Sequence, residues 1–159
     1  MTLARLTIRS PLGPLTLAEE DGRLVSLAWG EAPHADHTAL LAAAAAQLDG
    51  YFYCGLRQFE LPLAPSGTPF QRRAWQAMSE IPFGRTLTYG ALAHRLGSSA
   101  RAVGRACASN PISIIIPCHR LLAATGLGGY SGGAGLASKR FLLDLEGVPA
   151  DGQALLPLS

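Results

Sequence analysis

The feature that most constrains the fold is a series of helix start and stop signals in the middle of the chain. Thr68-Pro69-Phe70-Gln71 combines an N-cap, a proline at the first helical position and a glutamine three residues after the cap, which together form a capping box. Thr88 is typical of the cap of a short helix over Tyr89–Leu96, and Gly97 ends that helix. The spacing therefore predicts short helices with defined ends.

A third helix follows from Ala100 to about Ala108 and stops at Asn110-Pro111. Two short helices joined by a tight, glycine-containing turn resemble the helix-turn-helix of DNA-binding proteins. Arg101 and Arg105 lie one turn apart on one face of the second helix, whose small residues, Gly104 among them, allow close approach to a duplex. An ordinary helical hairpin with two solvated arginines is the alternative.

The charge distribution favours DNA binding over that alternative. Residues 1–64 carry four arginines against seven acidic residues, a net charge of −3, whereas residues 65–159 carry nine basic against four acidic residues, a net charge of +5. Between Phe70 and Tyr130 there are seven arginines and one acidic residue. A basic half joined to an acidic half is typical of a protein that binds a polyanion, although drift in surface charge would give the same numbers.

The first half of the chain is expected to be a structural scaffold. Three segments alternate in the manner of strands of an antiparallel meander: Thr2–Ser10, Leu15–Glu19 and Arg23–Trp29. Asp21-Gly22 is a tight-turn signal, Asp36–Tyr53 is rich in alanine and predicts a helix, and Phe59–Leu63 predicts one more short strand. The segment Leu63–Gly67 is the predicted boundary, which gives a domain over residues 1–64 and another over 65–159.

Composition excludes several classes of protein. With 48% apolar and 15% charged residues, the chain is not of the disordered class. No apolar stretch is long enough to span a bilayer, and the start does not read as a signal peptide. The cysteines Cys54, Cys107 and Cys118 have no paired spacing, which indicates free thiols in a reducing cytosol. No ligand spacing supports a metal site, so we expect none.

The residues that indicate chemistry begin after the helix-turn-helix. Ile112–Ile116 predicts a buried strand that leads to Pro117-Cys118-His119-Arg120. An unperturbed thiol is only a few per cent ionised at neutral pH, so a reactive cysteine needs a base or positive neighbours, and His119 and Arg120 are both at hand. A buried cysteine beside a structural histidine is the alternative.

Two further segments bear on that cysteine. The glycine-rich stretch Gly126–Gly135, with Tyr130 and Ser131 at its tip, is typical of a loop whose backbone approaches a flat ligand, and a flexible linker is the alternative. A helix over Ser138–Glu146 places Glu146 after apolar positions, so its carboxylate is expected to point inward and to need a partner. His119 is the obvious one, and the two would form a Cys–His–Glu relay.

These motifs together resemble the methylated-DNA–protein-cysteine S-methyltransferases, the 6-O-alkylguanine-DNA alkyltransferases that repair DNA. The similarity covers most of residues 60–147 in order and rests on the following segments: Gly67–Gln71, Thr88–Ala93, Arg101–Gly104, Asn110-Pro111, Ile116–Arg120, Gly129–Gly133 and Lys139 to Gly147. The resemblance implies a ribonuclease H-like N-terminal domain and a mostly helical, winged-helix-like C-terminal domain that binds DNA.

The resemblance also implies a role for each matched residue. Cys118 would be the permanent alkyl acceptor, deprotonated by His119 through a bound water while Glu146 orients the histidine. Asn110 would buttress the turn before the acceptor. The residues implied to handle DNA and the flipped base are Tyr89, Arg101 as the finger that fills the vacated stack, Gly104, Tyr130 and Ser131. The duplex would be bound through its minor groove, and neither a cofactor nor an obligate protein partner is implied.

Two other functions use the same residues differently. A lesion sensor would have the same fold and flip the base without transfer, but relatives of that kind lack the acceptor cysteine, and this chain has Cys118. A cysteine hydrolase built on Cys118, His119 and Glu146 would need an oxyanion hole and would leave the helix-turn-helix without a use. We therefore expect an alkyl-accepting DNA-repair enzyme, located in the cytoplasm and not in a membrane.

Overall fold

The computed structural model describes residues 3–149, which form two compact units. The predicted α+β fold class is confirmed. The first unit contains the chain up to Ser66 together with the short segment Pro111–Ser113. The second contains Gly67–Asn110 and the chain from Ile114 onwards. Thr2, the predicted start of the first strand, and residues 150–159 lie outside the described part of the chain.

The first unit is built on the predicted antiparallel meander, with strands β1 (Ala4–Ser10), β2 (Gly13–Glu20) and β3 (Arg23–Trp29) in that order. Asp21 and Gly22 connect β2 to β3, and both have positive φ, 53° and 77°. A two-residue hairpin loop of this kind requires positive φ at both positions, which aspartate and glycine tolerate best. The inward residues of the sheet are fully buried leucines, including Leu15, Leu17 and Leu24.

Helix α1 (Ala39–Tyr53) covers this unit's core, but it begins later than the predicted Asp36. Thr38 is the N-cap, and its side chain accepts from the Leu41 N–H. The Asp36 carboxylate instead accepts from the Arg5 N–H at 2.9 Å, which anchors the chain to β1 before the helix starts. Because the Asp36 side chain is bound to β1, the N-cap is Thr38, two residues later.

The predicted strand over Phe59–Leu63 is wrong. Only Leu63 makes a bridge, parallel to Leu24 of β3. The Leu24 N–H donates to the Pro62 carbonyl at 2.9 Å, and the Ala64 N–H donates back to Leu24 at 2.8 Å. Proline has no N–H to donate, so the ladder cannot extend through Pro62.

Within its described residues, the second unit contains four α-helices and a two-stranded parallel sheet of β4 (Leu87–Thr88) and β5 (Leu121–Leu122). The helices are α2 (Pro69–Ser79), α3 (Tyr89–Leu96), α4 (Ala100–Ala108) and α5 (Leu136–Leu145). The ends of the first three agree with the cap signals. Thr68 and Gln71 form both hydrogen bonds of the capping box, and Gly97 adopts the left-handed conformation, with φ of 64°.

Trp75 joins α2 to α4. Its indole Nε1 donates to the Ala106 carbonyl at 2.8 Å, and the ring has only 2% of its surface exposed. Gly67, just before α2, lies against this ring: a Cβ there would be 2.5 Å from the Trp75 Cη2 atom. A side chain at position 67 would therefore displace the residue that holds the two helices together.

The apolar run Ile112–Ile116 is buried as predicted, but it is not a strand. Ile112 bridges Leu27 in the first unit, and the chain then turns at Ile114, whose φ is 75°. Positive φ is strained for a β-branched residue, so the turn is held by its surroundings and is not a local preference. This turn directs the chain to Pro117 and the predicted acceptor.

Helix α5 begins at Leu136, two residues before the predicted Ser138, and Glu146 is its C-cap. The Ser138 hydroxyl accepts from the Ala134 N–H at 2.9 Å, near the end of the glycine-rich loop.

Among residues 3–149, no helix is both long and apolar enough to cross a membrane.

We expect Thr68→Ala to lower the free energy of unfolding by about 1 kcal/mol, because it removes the side-chain acceptor of the Gln71 N–H at the start of α2. Urea unfolding followed by tryptophan fluorescence measures the loss. Thr68→Ser keeps the hydroxyl and should remain close to the unchanged protein. Equal losses in the two variants would contradict a capping role.

Candidate active site

Cys118 begins a 3-10 turn, Cys118–Arg120, directly after Pro117. The turn is closed by its own backbone: the Cys118 N–H donates to the Ile116 carbonyl at 2.8 Å, and the Arg120 N–H donates to the Pro117 carbonyl at 3.0 Å. Cys118 has 3% of its surface exposed and His119 has none. The backbone therefore fixes the position of the thiol, and its buried neighbours determine its ionisation.

Glu146 supplies a fully buried carboxylate that has four hydrogen-bond donors. Oε2 lies 2.7 Å from His119 Nε2 and accepts from Arg120 Nη2 at 3.0 Å. Oε1 accepts from Arg120 Nε at 2.9 Å and from the Gly84 N–H at 3.1 Å. A carboxylate has about four acceptor positions, so this one is saturated. Burial alone would raise the pKa of Glu146, but the bonds and charges of His119 and Arg120 hold it well below its usual range.

Arg120 binds the Glu146 carboxylate and not the Cys118 thiol. The prediction that Arg120 would be a positive neighbour of Cys118 is therefore wrong. Besides its two bonds to Glu146, its Nη1 donates to the Ile81 carbonyl at 2.6 Å. The guanidinium presents a fixed fork of donors, and a carboxylate matches that fork better than a single sulfur atom does. Arg120 is therefore the counter-ion that keeps Glu146 ionised in the interior.

His119 has a defined tautomer. An ionised carboxylate only accepts hydrogen bonds, so Nε2 carries the proton and Nδ1 carries the lone pair. Nδ1 is buried and has no hydrogen-bond partner within residues 3–149. Burial lowers the pKa of His119, and the charges of Arg120 and Lys139 oppose protonation further, which together outweigh the pull of Glu146. The imidazole is therefore neutral near neutral pH, which a general base requires.

Asn110 connects the end of α4 to the acceptor turn. Its Nδ2 donates to the Ile116 carbonyl at 2.9 Å, which is the same carbonyl that accepts the Cys118 N–H. The amide also lowers the pKa of Cys118 by hydrogen bonding. The structure thus places Asn110 against the turn that precedes Cys118.

Cys107 is a site residue that the sequence reasoning missed. It lies on the buried side of α4, with 8% of its surface exposed, and its Sγ donates to the Cys118 carbonyl at 3.5 Å. Hydrogen bonding from Cys107 is the main influence that lowers the pKa of Cys118, and it outweighs burial, which raises that pKa. A helical pattern shows that position 107 faces inward with Val103, but it does not show what lies opposite.

A cavity of about 400 Å³ opens beside the Cys107 thiol. Its lining brings together four residues predicted for DNA and base binding and three others: Tyr89, Gly104, Cys107, Ala108, Gly129, Tyr130 and Ser131. The Tyr89 hydroxyl donates to the Gly129 carbonyl at 3.3 Å, and the Ser131 hydroxyl donates to the Ala108 carbonyl at 3.4 Å. The glycine-rich loop and α4 therefore form opposite walls of one pocket, with Cys107 in the wall next to Cys118.

Lys139 holds the glycine-rich loop in place from the buried side of α5. Its Nζ donates to the carbonyls of Leu121 at 2.6 Å, of Gly129 at 3.2 Å and of Leu127. The ammonium also lies 5.6 Å from the centre of the Tyr89 ring, within the range of a cation–π contact. Burial lowers the pKa of Lys139 to about 8. The sequence motif includes this lysine, but its spacing alone does not indicate these contacts.

Burial raises the pKa of Tyr89, and the charges of Cys107 and Cys118 raise it further. The phenol therefore keeps its proton throughout the physiological range and remains a hydrogen-bond donor at the cavity.

Arg101 lies apart from the buried cluster, exposed on the first turn of α4. Gly104 and Ala108 follow it at i+3 and i+7, which places the three on one face of the helix. Two of them line the cavity, so Arg101 is on the helix face that borders it.

In the described part of the chain, no cluster of three or more His, Cys, Asp or Glu side chains could hold a metal ion.

Comparison with known protein families gives two matches that together cover nearly the whole described chain. The model of the 6-O-methylguanine DNA methyltransferase ribonuclease-like domain matches residues 4–65. The model of the DNA-binding domain of the same family matches residues 69–148.

Individual relatives agree with these matches. The methylated-DNA–protein-cysteine methyltransferase of Methanosarcina acetivorans is 44% identical over 149 residues, which cover 87% of this chain and 94% of that protein. The protein of the same name from Mycobacterium tuberculosis H37Rv is 44% identical over 157 residues, covering 91% and 94%.

The fold is similar to a crystal structure of Mycobacterium tuberculosis O6-methylguanine methyltransferase, with a TM-score of 0.81, 41% sequence identity, and coverage of 94% of this chain and 97% of that one. It is also similar to the structure of Mycobacterium tuberculosis OGT in complex with DNA, with a TM-score of 0.79, 42% identity, and coverage of 89% and 91%. With sequence, family models and fold in agreement over most of its length, the chain belongs to the 6-O-methylguanine DNA methyltransferase family.

Proposed function

We propose that this protein repairs alkylated DNA by direct reversal, taking the alkyl group from O6 of a guanine onto its own Cys118. The observation that carries the proposal is the acceptor itself: a buried cysteine whose pKa is lowered, one side chain away from a cavity bounded by Tyr89 and Tyr130. The relatives named as methylated-DNA–protein-cysteine methyltransferases support the same reaction.

In the reaction, the Cys118 sulfur attacks the alkyl carbon, a C–S bond forms, and the bond between that carbon and guanine O6 breaks with its electron pair left on the base. The proton of Cys118 passes to His119 Nδ1, bridged by a water molecule, since this buried nitrogen holds the free lone pair. Glu146 fixes the tautomer and stabilises the imidazolium that forms. A thioether is a very poor leaving group, so each molecule reacts once.

Tyr89, Tyr130 and Ser131 receive the base. The Tyr89 phenol stays protonated and donates a hydrogen bond to the departing guanine, and the Ser131 hydroxyl binds near the guanine oxygen. A cavity of about 400 Å³ has the size of a small-molecule site. Asn110 supports the turn that presents the nucleophile.

The guanine lies inside a duplex and must be rotated out before it can reach the cavity. We assign this step to the helix-turn-helix of α3 and α4, which binds double-stranded DNA from the minor groove. Gly104 allows close approach, and the exposed Arg101 on the same helix face fills the vacated stack. The complex of a related protein with DNA supports DNA as the partner.

The domain roles follow from this assignment. Residues 1–64 are proposed to be a structural domain, and residues 65–159 to be the DNA-binding and alkyl-accepting domain. The reaction as written needs no metal, no cofactor and no obligate protein partner. The cysteines Cys54, Cys107 and Cys118 are all free thiols, which supports a reducing compartment and hence the cytoplasm.

The reaction is tested by mixing the protein with a duplex that contains 6-O-methylguanine and weighing the intact protein. We expect one added methyl group per molecule, located on Cys118 by peptide mapping, and none in Cys118→Ala, which should still bind the lesion. Tight binding without a mass change would identify a lesion sensor. Repeated turnover of an ester or amide substrate would identify a hydrolase.

Arg101→Ala should slow repair of a duplex by about tenfold or more but leave the reaction with a free 6-O-alkylguanine base nearly unchanged, because only the duplex requires base flipping. The comparison of the two rates is the measurement. Arg23→Ala, which removes an exposed arginine of the sheet in the first unit, controls for loss of positive charge. Equal losses on both substrates would show that Arg101 does not act in flipping.

Glu146→Gln should lower the free energy of unfolding by about 3 kcal/mol, because it leaves the buried Arg120 without its counter-ion. The depressed pKa of Glu146 also sets a pH dependence: its contribution is complete above the usual carboxyl pKa of 4.5 and is lost as the pH falls below it. Between neutral and acid pH, the free energy of unfolding should therefore fall less steeply in the variant than in the unchanged protein, as measured by urea unfolding at each pH.

Asp144→Asn is the matched control for this substitution. Asp144 is on the same helix, is 63% exposed and pairs only with Arg140 at i−4, so its loss should cost less than about 0.5 kcal/mol. Similar stability curves for the two variants would contradict the central role of Glu146.

A further inference from the structure

Cys107 is a buried nucleophilic group that the reaction above does not use. It occupies two places at once: its side chain is part of the cavity wall, and its Sγ donates to the Cys118 carbonyl at 3.5 Å. It therefore lies between the space assigned to the flipped base and the backbone of the residue assigned as nucleophile.

The thiol of Cys107 has one proton, which the Cys118 carbonyl oxygen accepts at 3.5 Å, and hydrogen bonding from the same thiol lowers the pKa of the Cys118 side chain. While Cys118 is a neutral thiol, the carbonyl is the better acceptor. Once Cys118 ionises, its sulfur carries the negative charge, and hydrogen bonds to charged acceptors are the stronger ones. The thiolate is then a stronger acceptor for the same proton than the carbonyl is.

We propose that Cys107 is a positioning residue for alkyl transfer, which holds the Cys118 peptide in the resting state and donates its S–H to the Cys118 thiolate in the reactive state. The proposal rests on the proposed function of Cys118 and adds a second thiol to that site.

The other groups that face Cys118 do not replace this donor. Lys139 of α5 favours the thiolate by its charge, but its Nζ donates to the carbonyls of Leu121, Leu127 and Gly129 and lies 3.5 Å from the Tyr89 hydroxyl. Tyr89 of α3 donates to Gly129. The neighbouring His119 gives its only proton to Glu146. Hydrogen bonds to the Cys118 sulfur come from the Cys107 thiol, the Asn110 amide and the backbone of Cys118, and the bond from Cys107 lowers the pKa of Cys118 most.

The pairing also separates the roles of two thiols in one site. The hydrogen bond with Cys118 raises the pKa of Cys107, and burial raises it further, so Cys107 keeps its proton when Cys118 loses one. A protonated thiol is a poor nucleophile. The alkyl group is therefore directed to Cys118 although Cys107 is the cysteine that lines the cavity.

The test is the pH dependence of alkylation by a free 6-O-alkylguanine base, followed by intact mass. Cys107→Ala removes the donor, and we expect the curve of rate against pH to shift by about one unit towards higher pH. At neutral pH the variant should therefore react about tenfold more slowly than the unchanged protein, and at alkaline pH the two rates should be equal. Cys107→Ser keeps a donor and should restore most of the shift. Cys54→Ser, an exposed cysteine of the first unit, should leave the profile unchanged.

A rate loss in Cys107→Ala that is equal at every pH, or no loss, would overturn the proposal, since a packing role alone does not move the profile. Titration of the Cys118 thiolate by its ultraviolet absorbance, with Cys118→Ser as the blank, measures the same shift without any transfer. If the unchanged protein takes up no alkyl group, the proposed function fails, and this titration still decides the role of Cys107. Cys107→Val serves as the variant without a donor if Cys107→Ala does not fold.

Discussion

The arrangement of the site depends on one buried carboxylate. The Glu146 carboxylate accepts hydrogen bonds from His119 and Arg120, which lie in the turn that begins at Cys118, and from Gly84, in the loop after α2. An ionised group in the interior is tolerated only when it is paired and fully hydrogen-bonded, so each of these segments must be in place for the others to be stable. The orientation of the His119 imidazole thus follows from the same contacts that stabilise the second unit.

Around Cys118, the chain supplies favourable charge from cations whose hydrogen bonds go to other groups. Arg120 is occupied by Glu146, and the protons of Lys139 are occupied by backbone carbonyls of the glycine-rich loop and β5. Both cations nevertheless oppose protonation of His119, and Lys139 favours ionisation of Cys118. The positive groups therefore act through space on His119 and Cys118, and the hydrogen bonds of Lys139 keep the glycine-rich loop in position.

Local signals in the sequence predicted local structure well. The ends of α2, α3 and α4 depend on single capping residues such as Thr88 and Gly97, whose preferences operate within one helical turn. Ile112–Ile116 was predicted as a strand because burial and β-branching look alike in a strand and in a buried turn. The role of Cys107 and the true partner of Arg120 depend on contacts between elements distant in sequence, which periodicity does not encode.

The passage of Pro111–Ser113 through the first unit has a consequence for how the chain matures on the ribosome. These three residues complete the contacts of an otherwise N-terminal unit, and one of them bridges β3. The first unit therefore gains these contacts only after helix α4 has also been synthesised, and not when residue 66 leaves the exit tunnel. Truncation after the family's ribonuclease-like region would leave the β3 side of that sheet without its last partner.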